Sequence, residues 1–286
     1  MRNSFGGLSS TSLTLLILII LAFNGACGGG NLGEPSEQDA AATVDASTSD
    51  ALLDATQSDA RPLPDASDER CGVLTATIRD FPRSHPDFES FSGDRVATGI
   101  VGQRLGDDDK PTYACATPCR NSGGQVQVTS AATFAEWYND IPGTNQSFEY
   151  EFELLPEGSG RYVFESSAFF PIDGLGFGDE GSRDMMGGLH NFHFTTEIHT
   201  RFQYRGGESF TFVGDDDLWL FINGRLAIDL GGLHARETAS VNLDAQAAEL
   251  GITPGETYTM DIFHAERHTF DSNFRIETSI ECFELI

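Results

Sequence analysis

Basic side chains are scarce in this 286-residue chain: 17 lysines and arginines face 44 aspartates and glutamates, for a formal net charge of −27. So acidic a molecule repels nucleic acid and anionic lipid, which excludes both as expected partners. Long apolar runs are missing too. The one that stands out, Leu13–Phe23 (LTLLILIILAF), has about half of the ~20 residues that a membrane-spanning helix needs. Catalytic signatures are lacking as well: there is no GxSxG elbow, no phosphate-cradling loop and no dinucleotide fingerprint set between a strand and a helix. HAERH (His264–His268) is not the helical HExxH of a zinc protease, because its glutamate is misplaced and its surroundings read as a strand. No enzyme activity is expected.

What is present begins with a targeting signal. Arg2 followed by the short apolar run reads as a secretory segment. Gly25, Ala26, Cys27 and then Gly28-Gly29-Gly30 resemble a bacterial lipobox, although Asn24 stands where leucine is usual. Residues 1–26 are therefore expected to be a lipoprotein-type signal peptide, with Cys27 the lipidated residue and the only tie to a membrane. Gly28 after the cysteine fits display at the outer membrane, with release by ordinary cleavage as the alternative.

Residues 27–70 are expected to form a disordered linker. From residue 31 onward it carries ten acidic residues against Arg61 and Arg70, with a loose Asp-Ala recurrence and few large apolar groups. Such a composition buries too little surface to fold, and its self-repulsion extends it. Setting aside this segment and Arg2 leaves −20 for residues 71–286. If Cys27 carries lipid, Cys71, Cys115, Cys119 and Cys282 remain, enough for two disulfides in three possible pairings. A Cys71–Cys282 bridge would close a very long loop, worth up to ~4 to 5 kcal/mol, and a Cys115–Cys119 bridge would staple a short turn.

From Cys71 onward the strongest pattern has period two. Phe192, Phe194, Thr196, Ile198, Thr200 and Phe202 would share one strand face, and Phe274, Ile276, Thr278, Ile280 and Cys282 another. Leu218–Ile222 is apolar on both faces, which suggests a central strand, and Asn223-Gly224 after it is a strong hairpin signal. Helix is confined to turns near 133–139 and 244–250. With 31 glycines and 22 phenylalanines, residues 71–286 are expected to be all-β: an antiparallel two-sheet, jelly-roll-like β-sandwich with short helical turns.

Several stretches carry a family resemblance in consistent order: IRDFPRSHPDFE (78–89), FAEWYNDIPG (134–143), SSAFFPIDGLGFG (166–178), HNFHFTTEIHTRFQY (190–204), GDDDLWLFINGRLAIDLGG (214–232) and DIFHAERHTFDSNFRIETSI (261–280). Together they resemble the fibro-slime domain, whose C-terminal part is similar to the protective-antigen-type β-sandwich of toxins, glycosidases and adhesins. The resemblance implies a surface recognition module that binds carbohydrate or an extracellular matrix component. In adhesins of that group two adjacent aspartates, joined by a cis peptide, hold a calcium ion that in turn coordinates sugar hydroxyls.

Three consecutive aspartates repel one another unless water or a cation neutralises them. Carried over by position, the adhesin pair falls on Asp215 and Asp216, with Asp217 entering by a shift of register. Asp271 and Asn273 in the last loop would complete the calcium shell. The alternatives are a solvated loop braced by hydrogen bonds, a matrix protein in which calcium only stiffens loops, and a glycan hydrolase. Asp107-Asp108-Asp109 reads as a solvated turn, Trp219 as core and the histidines as partners of aromatic rings, while Trp137 is left open.

Overall fold

The computed structural model describes residues 71–286. The expected signal peptide (1–26), the expected lipidation at Cys27 and the expected linker (27–70) lie outside the described residues. In chain order the elements are β1 (Val73–Asp80), β2 (Val101–Leu105), β3 (Pro111–Tyr113), β4 (Cys119–Arg120), β5 (Val126–Val128), α1 (Ala131–Phe134), β6 (Gln146–Glu153), β7 (Leu155–Gly158), β8 (Arg161–Ser166), β9 (Phe194–Gln203), β10 (Ser209–Gly214), β11 (Asp217–Ile222), β12 (Arg225–Leu230), β13 (Glu237–Asn242), α2 (Leu243–Leu250), β14 (Thr257–Glu266), β15 (Phe274–Thr278) and β16 (Glu284–Leu285).

These strands build a large and a small antiparallel sheet, with β4 and β5 paired apart from both. The large sheet runs β3-β2-β12-β11-β14-β9-β1-β6, with β16 also paired to β9, and the small one runs β13-β10-β15-β8-β7. The apolar run at 218–222 is central, as its two-sided pattern requires: β11 lies between β12 and β14, and all six of its residues are buried. Asn223 and Gly224 both adopt positive φ (53° and 65°), the geometry that a two-residue hairpin demands and that this pair tolerates best.

Between the sheets lies the expected phenylalanine interior, made of Phe152, Phe169, Phe194, Phe210, Phe212 and Phe274 with Leu220 and Ile262. Each such ring contributes about 1.5–3 kcal/mol by leaving water. A second core, which a simple two-sheet sandwich does not predict, covers the outer face of the large sheet. There Trp219, Phe221 and Phe263 meet Phe81, Phe88, Phe134, Trp137 and Tyr138 from the irregular segments between β1 and β6. For this reason β9, expected to be half-buried, is buried on both faces over Phe194–Ile198. Trp137 belongs to this core and is fully buried. Asp107–Asp109 forms the exposed turn between β2 and β3, and the adjacent Lys110 reaches back to pair with buried Glu197.

Two disulfides are present. Cys71 precedes β1 and is bonded to Cys282 just before β16, 211 residues later, while Cys115 is bonded to Cys119. A bridge joining the two ends of the domain should act mainly by constraining the unfolded chain. Replacing Cys71 and Cys282 together with alanine is expected to lower unfolding stability by roughly 2–5 kcal/mol, measured by urea denaturation under oxidising conditions.

Candidate functional site

The aspartate run lies where the chain passes from one sheet to the other. β10 ends in the small sheet at Gly214 and β11 starts in the large sheet at Asp217, so Asp215 and Asp216 make the crossing. Beside it the chain crosses back: β14 ends at Glu266, and β15 begins in the small sheet at Phe274. Because β10 pairs with β15 and β11 with β14, the two crossings are neighbours. Gly214 permits the approach, since a Cβ there would lie 2.5 Å from the carbonyl oxygen of Asn273.

Each aspartate has a different fate. Asp215 is closed by Asn273: the Asn273 backbone N–H donates to Oδ1 at 2.6 Å, and its side-chain Nδ2 donates to Oδ2 at 2.5 Å. Burial raises the Asp215 pKa against these bonds, and the charge of nearby Asp271 adds to the rise. Asp217, fully buried, is closed as well. Its Oδ2 accepts from Arg267 Nε at 2.6 Å and its Oδ1 from the Gly232 N–H at 2.6 Å. The register alternative therefore finds no free oxygen at Asp217, whose neutralising cation is the guanidinium of Arg267.

That guanidinium is held on several sides. Its Nη1 donates to the carbonyls of Gln127 (2.6 Å) and Asp87 (3.2 Å), and its Cζ lies 4.8 Å above the Trp137 ring. Asp87 in turn accepts from Trp137 Nε1 at 3.1 Å. The second core is thus bolted to the sheet crossing through one arginine.

Asp216 alone of the three keeps an open oxygen. It adopts φ +54°, a left-handed conformation that aspartate tolerates better than most residues. Its Oδ2 accepts from the Arg267 backbone N–H at 2.9 Å, and its Oδ1 makes no hydrogen bond among the described residues. Burial pushes its carboxyl up from 3.8 to about 7; Arg267 opposes the rise and Asp217 adds to it. The Asp215–Asp216 peptide is trans; among the described residues the cis bond is Thr117–Pro118.

Of the last-loop pair, Asp271 is exposed and Asn273 is tied to Asp215, leaving the Asn273 amide oxygen without a partner among the described residues. Thr269 anchors the loop ahead of them: its N–H and hydroxyl both donate to Glu89 at 3.2 Å. Burial raises the Glu89 carboxyl, but hydrogen bonds from His193 and Thr269 outweigh it and hold the group at about 2. The loop so pinned presents Phe270, 59% exposed.

Two further residues belong to this site: Glu266, which the sequence offers only as the misplaced glutamate of HAERH, and Arg267, which the sequence reading did not weigh. Glu266 is buried behind Asp216, and burial, with the charges of Asp216 and Asp215 adding, raises its pKa well above the ordinary value. Arg267 is the internal cation. Both were accessible to the period-two pattern, which sets Glu266 in line with Met260 and Ile262 on the sandwich face and Arg267 in line with Phe263 on the outer one. His264 packs edge-on to Phe274 at 5.0 Å, and burial lowers its pKa to about 3, so it is neutral. No three histidine, cysteine or carboxylate side chains among the described residues stand ready to hold a metal unaided.

Residues 184–282 match the model of the PA14 domain. The match takes in both sheet crossings. Curated relatives include two Dictyostelium discoideum proteins: protein psiR, 40% identical over 218 residues (73% of this chain, 21% of the relative), and protein psiC, 41% identical over 213 residues (72% and 40%). The chain thus spans 21–40% of the length of these two relatives. Among solved structures, a PA14 sugar-binding domain from an RTX adhesin aligns over 76% of this chain and 95% of its own, at 9% identity and a TM-score of 0.30. The epithelial adhesin 6 A domain from Candida glabrata, in complex with Galb1-3GlcNAc, aligns over 72% and 77% at 14% identity and a TM-score of 0.27.

Two predictions follow from the geometry of the crossings. Arg267→Met strands the buried Asp217 carboxylate and is expected to remove about 3–5 kcal/mol of stability; adding Asp217→Asn should restore part of it, read by chemical denaturation. Asp216 retains its proton in the fold to a higher pH than in the unfolded chain. Its stabilising contribution is therefore complete below about 4 and lost as pH rises through about 7. In EDTA, Asp216→Asn should flatten that fall in a pH series of urea midpoints.

Proposed function

We propose that residues 71–286 form a surface-displayed, calcium-dependent module that binds carbohydrate or an extracellular matrix glycan and carries out no catalysis. The observation that carries this reading is the open Oδ1 of Asp216, set at a sheet crossing beside the free amide oxygen of Asn273. Support also comes from the PA14 match across this region and from the resemblance of residues 214–232 and 261–280 to adhesin sandwiches.

A hard cation takes carboxylate and amide oxygens, and Asp216 and Asn273 offer one of each. Asp217 does not fit as a ligand, and Asp215 acts by fixing Asn273. Calcium, when bound, would present open coordination positions to vicinal hydroxyls. The protein's own contribution is rigidity: Arg267, Thr269 and Asn273 pin the second crossing, so little ordering remains to oppose binding. Phe270, exposed at the apex of the pinned loop, offers an apolar face to a sugar ring, with the exposed carboxylate of Asp271 beside it. In this reading the chain is a fibro-slime-type protein held at a bacterial surface by lipid on Cys27, with residues 27–70 as the spacer.

Binding of the full-length protein to an array of neutral mono- and disaccharides tests the reading. Binding should be abolished by EDTA and by Asp216→Asn, and weakened by Phe270→Ala. Sugar binding that survives both EDTA and Asp216→Asn would refute calcium dependence. Calcium-induced stabilisation without any glycan signal would favour a matrix role in which the ion braces the crossings. Turnover of polysaccharide would replace the binding module with a hydrolase.

A further inference from the structure

The acidic cluster at the crossings contains one group to which nothing above assigns a role. Glu266, the last residue of β14, is 1% exposed, and neither Oε1 nor Oε2 has a hydrogen-bond partner. The neighbouring Ser272 hydroxyl donates to the Phe169 carbonyl at 2.8 Å instead. A buried carboxylate with both oxygens orphaned is destabilising unless a proton or a cation meets it.

Side chains of the protein do not provide that cation among the described residues. Arg267 follows Glu266 directly, so strand alternation sends its guanidinium to the opposite face, where Asp217 takes it. On the side of Glu266 stand Asp215, Asp216 and His264, and the His264 ring packs edge-on to Phe274 with its Nδ1 3.4 Å from Thr196 Oγ1. His234 has its ring nitrogens 2.8 Å from the Ala235 carbonyl and 3.2 Å from that of Leu230.

We propose that Glu266 is itself a cation ligand, binding a calcium-sized divalent ion with one or both carboxylate oxygens together with Asp216 Oδ1. Two carboxylates supplemented by the Asn273 amide oxygen make a hard-oxygen donor set, and calcium accepts carboxylates in either mode. Arg267 explains the division of the acidic residues. It closes Asp217 on the outer face, which leaves Asp216 and Glu266 as carboxyl groups with no protein cation of their own. This inference rests on the calcium reading above and deepens it, because it moves the site inward from the exposed loop to the end of a central strand.

Calcium titration of the full-length protein, followed by melting temperature and by calorimetry, tests the assignment on the wild type, Glu266→Gln, Glu266→Asp and Asp216→Asn. Glu266→Gln, close to isosteric, should lower calcium affinity at least tenfold. Its melting temperature in EDTA should be unchanged or raised, since an uncompensated buried acid has been removed. Glu266→Asp keeps the charge on a shorter arm and should bind calcium more weakly than wild type but more tightly than Glu266→Gln. If Glu266→Gln, or Glu266→Asp where the glutamine variant fails to fold, binds calcium as the wild type does while Asp216→Asn does not, the assignment of Glu266 is overturned and the calcium reading stands. A wild type whose melting temperature ignores millimolar calcium overturns both.

Discussion

Asp217 and Arg267 meet with neither side chain reaching water, and the arrangement of this end of the domain depends on that contact. A buried pair of this kind adds little net stability, because desolvation offsets much of its attraction. Its effect is positional. Arg267 reaches two backbone carbonyls and the face of Trp137 from the strand end, so it joins the irregular outer layer to the crossing between the sheets. It also decides which aspartate is structural. With Asp217 turned outward to the guanidinium, the carboxyl groups left on the sandwich side are those of Asp215, Asp216 and Glu266.

The two chain crossings divide their work accordingly. Asp215 and Asn273 satisfy each other across the gap and hold the crossings at a fixed separation. Asp216, in a backbone conformation that most side chains disfavour, keeps one oxygen open. Strain and unpaired buried carboxylates are both unfavourable for folding, and they persist here because two sheets, a second aromatic core and an end-to-end disulfide over-determine the surrounding structure. A rigid frame around an unsatisfied acidic site is the physical basis of the recognition role proposed for it.

Much of this architecture was legible along the chain. Alternation marked β9 and β15, two-sided apolarity marked β11 as central, and Asn223-Gly224 marked the hairpin, because these signals are local and strand geometry repeats every two residues. The placement of Trp219 in a core followed from the same pattern. Trp137 did not: its burial depends on segments between β1 and β6 that have little periodicity and fold back over the large sheet.

The acidic run shows where such reading ends. Residue types and strand period were enough to establish an all-β chain with an acidic run beside a central strand and hairpin, since both depend on neighbours in sequence. Which aspartate is neutralised, by what and from which side was settled by contacts that span 50 to 140 residues, from Arg267 to Asp217 and Gln127. Like charges in a row announce that a counter-charge is required. Only the pairing of β10 with β15 and of β11 with β14 brings Arg267 to one of them, Asn273 to another and Glu266 behind the third.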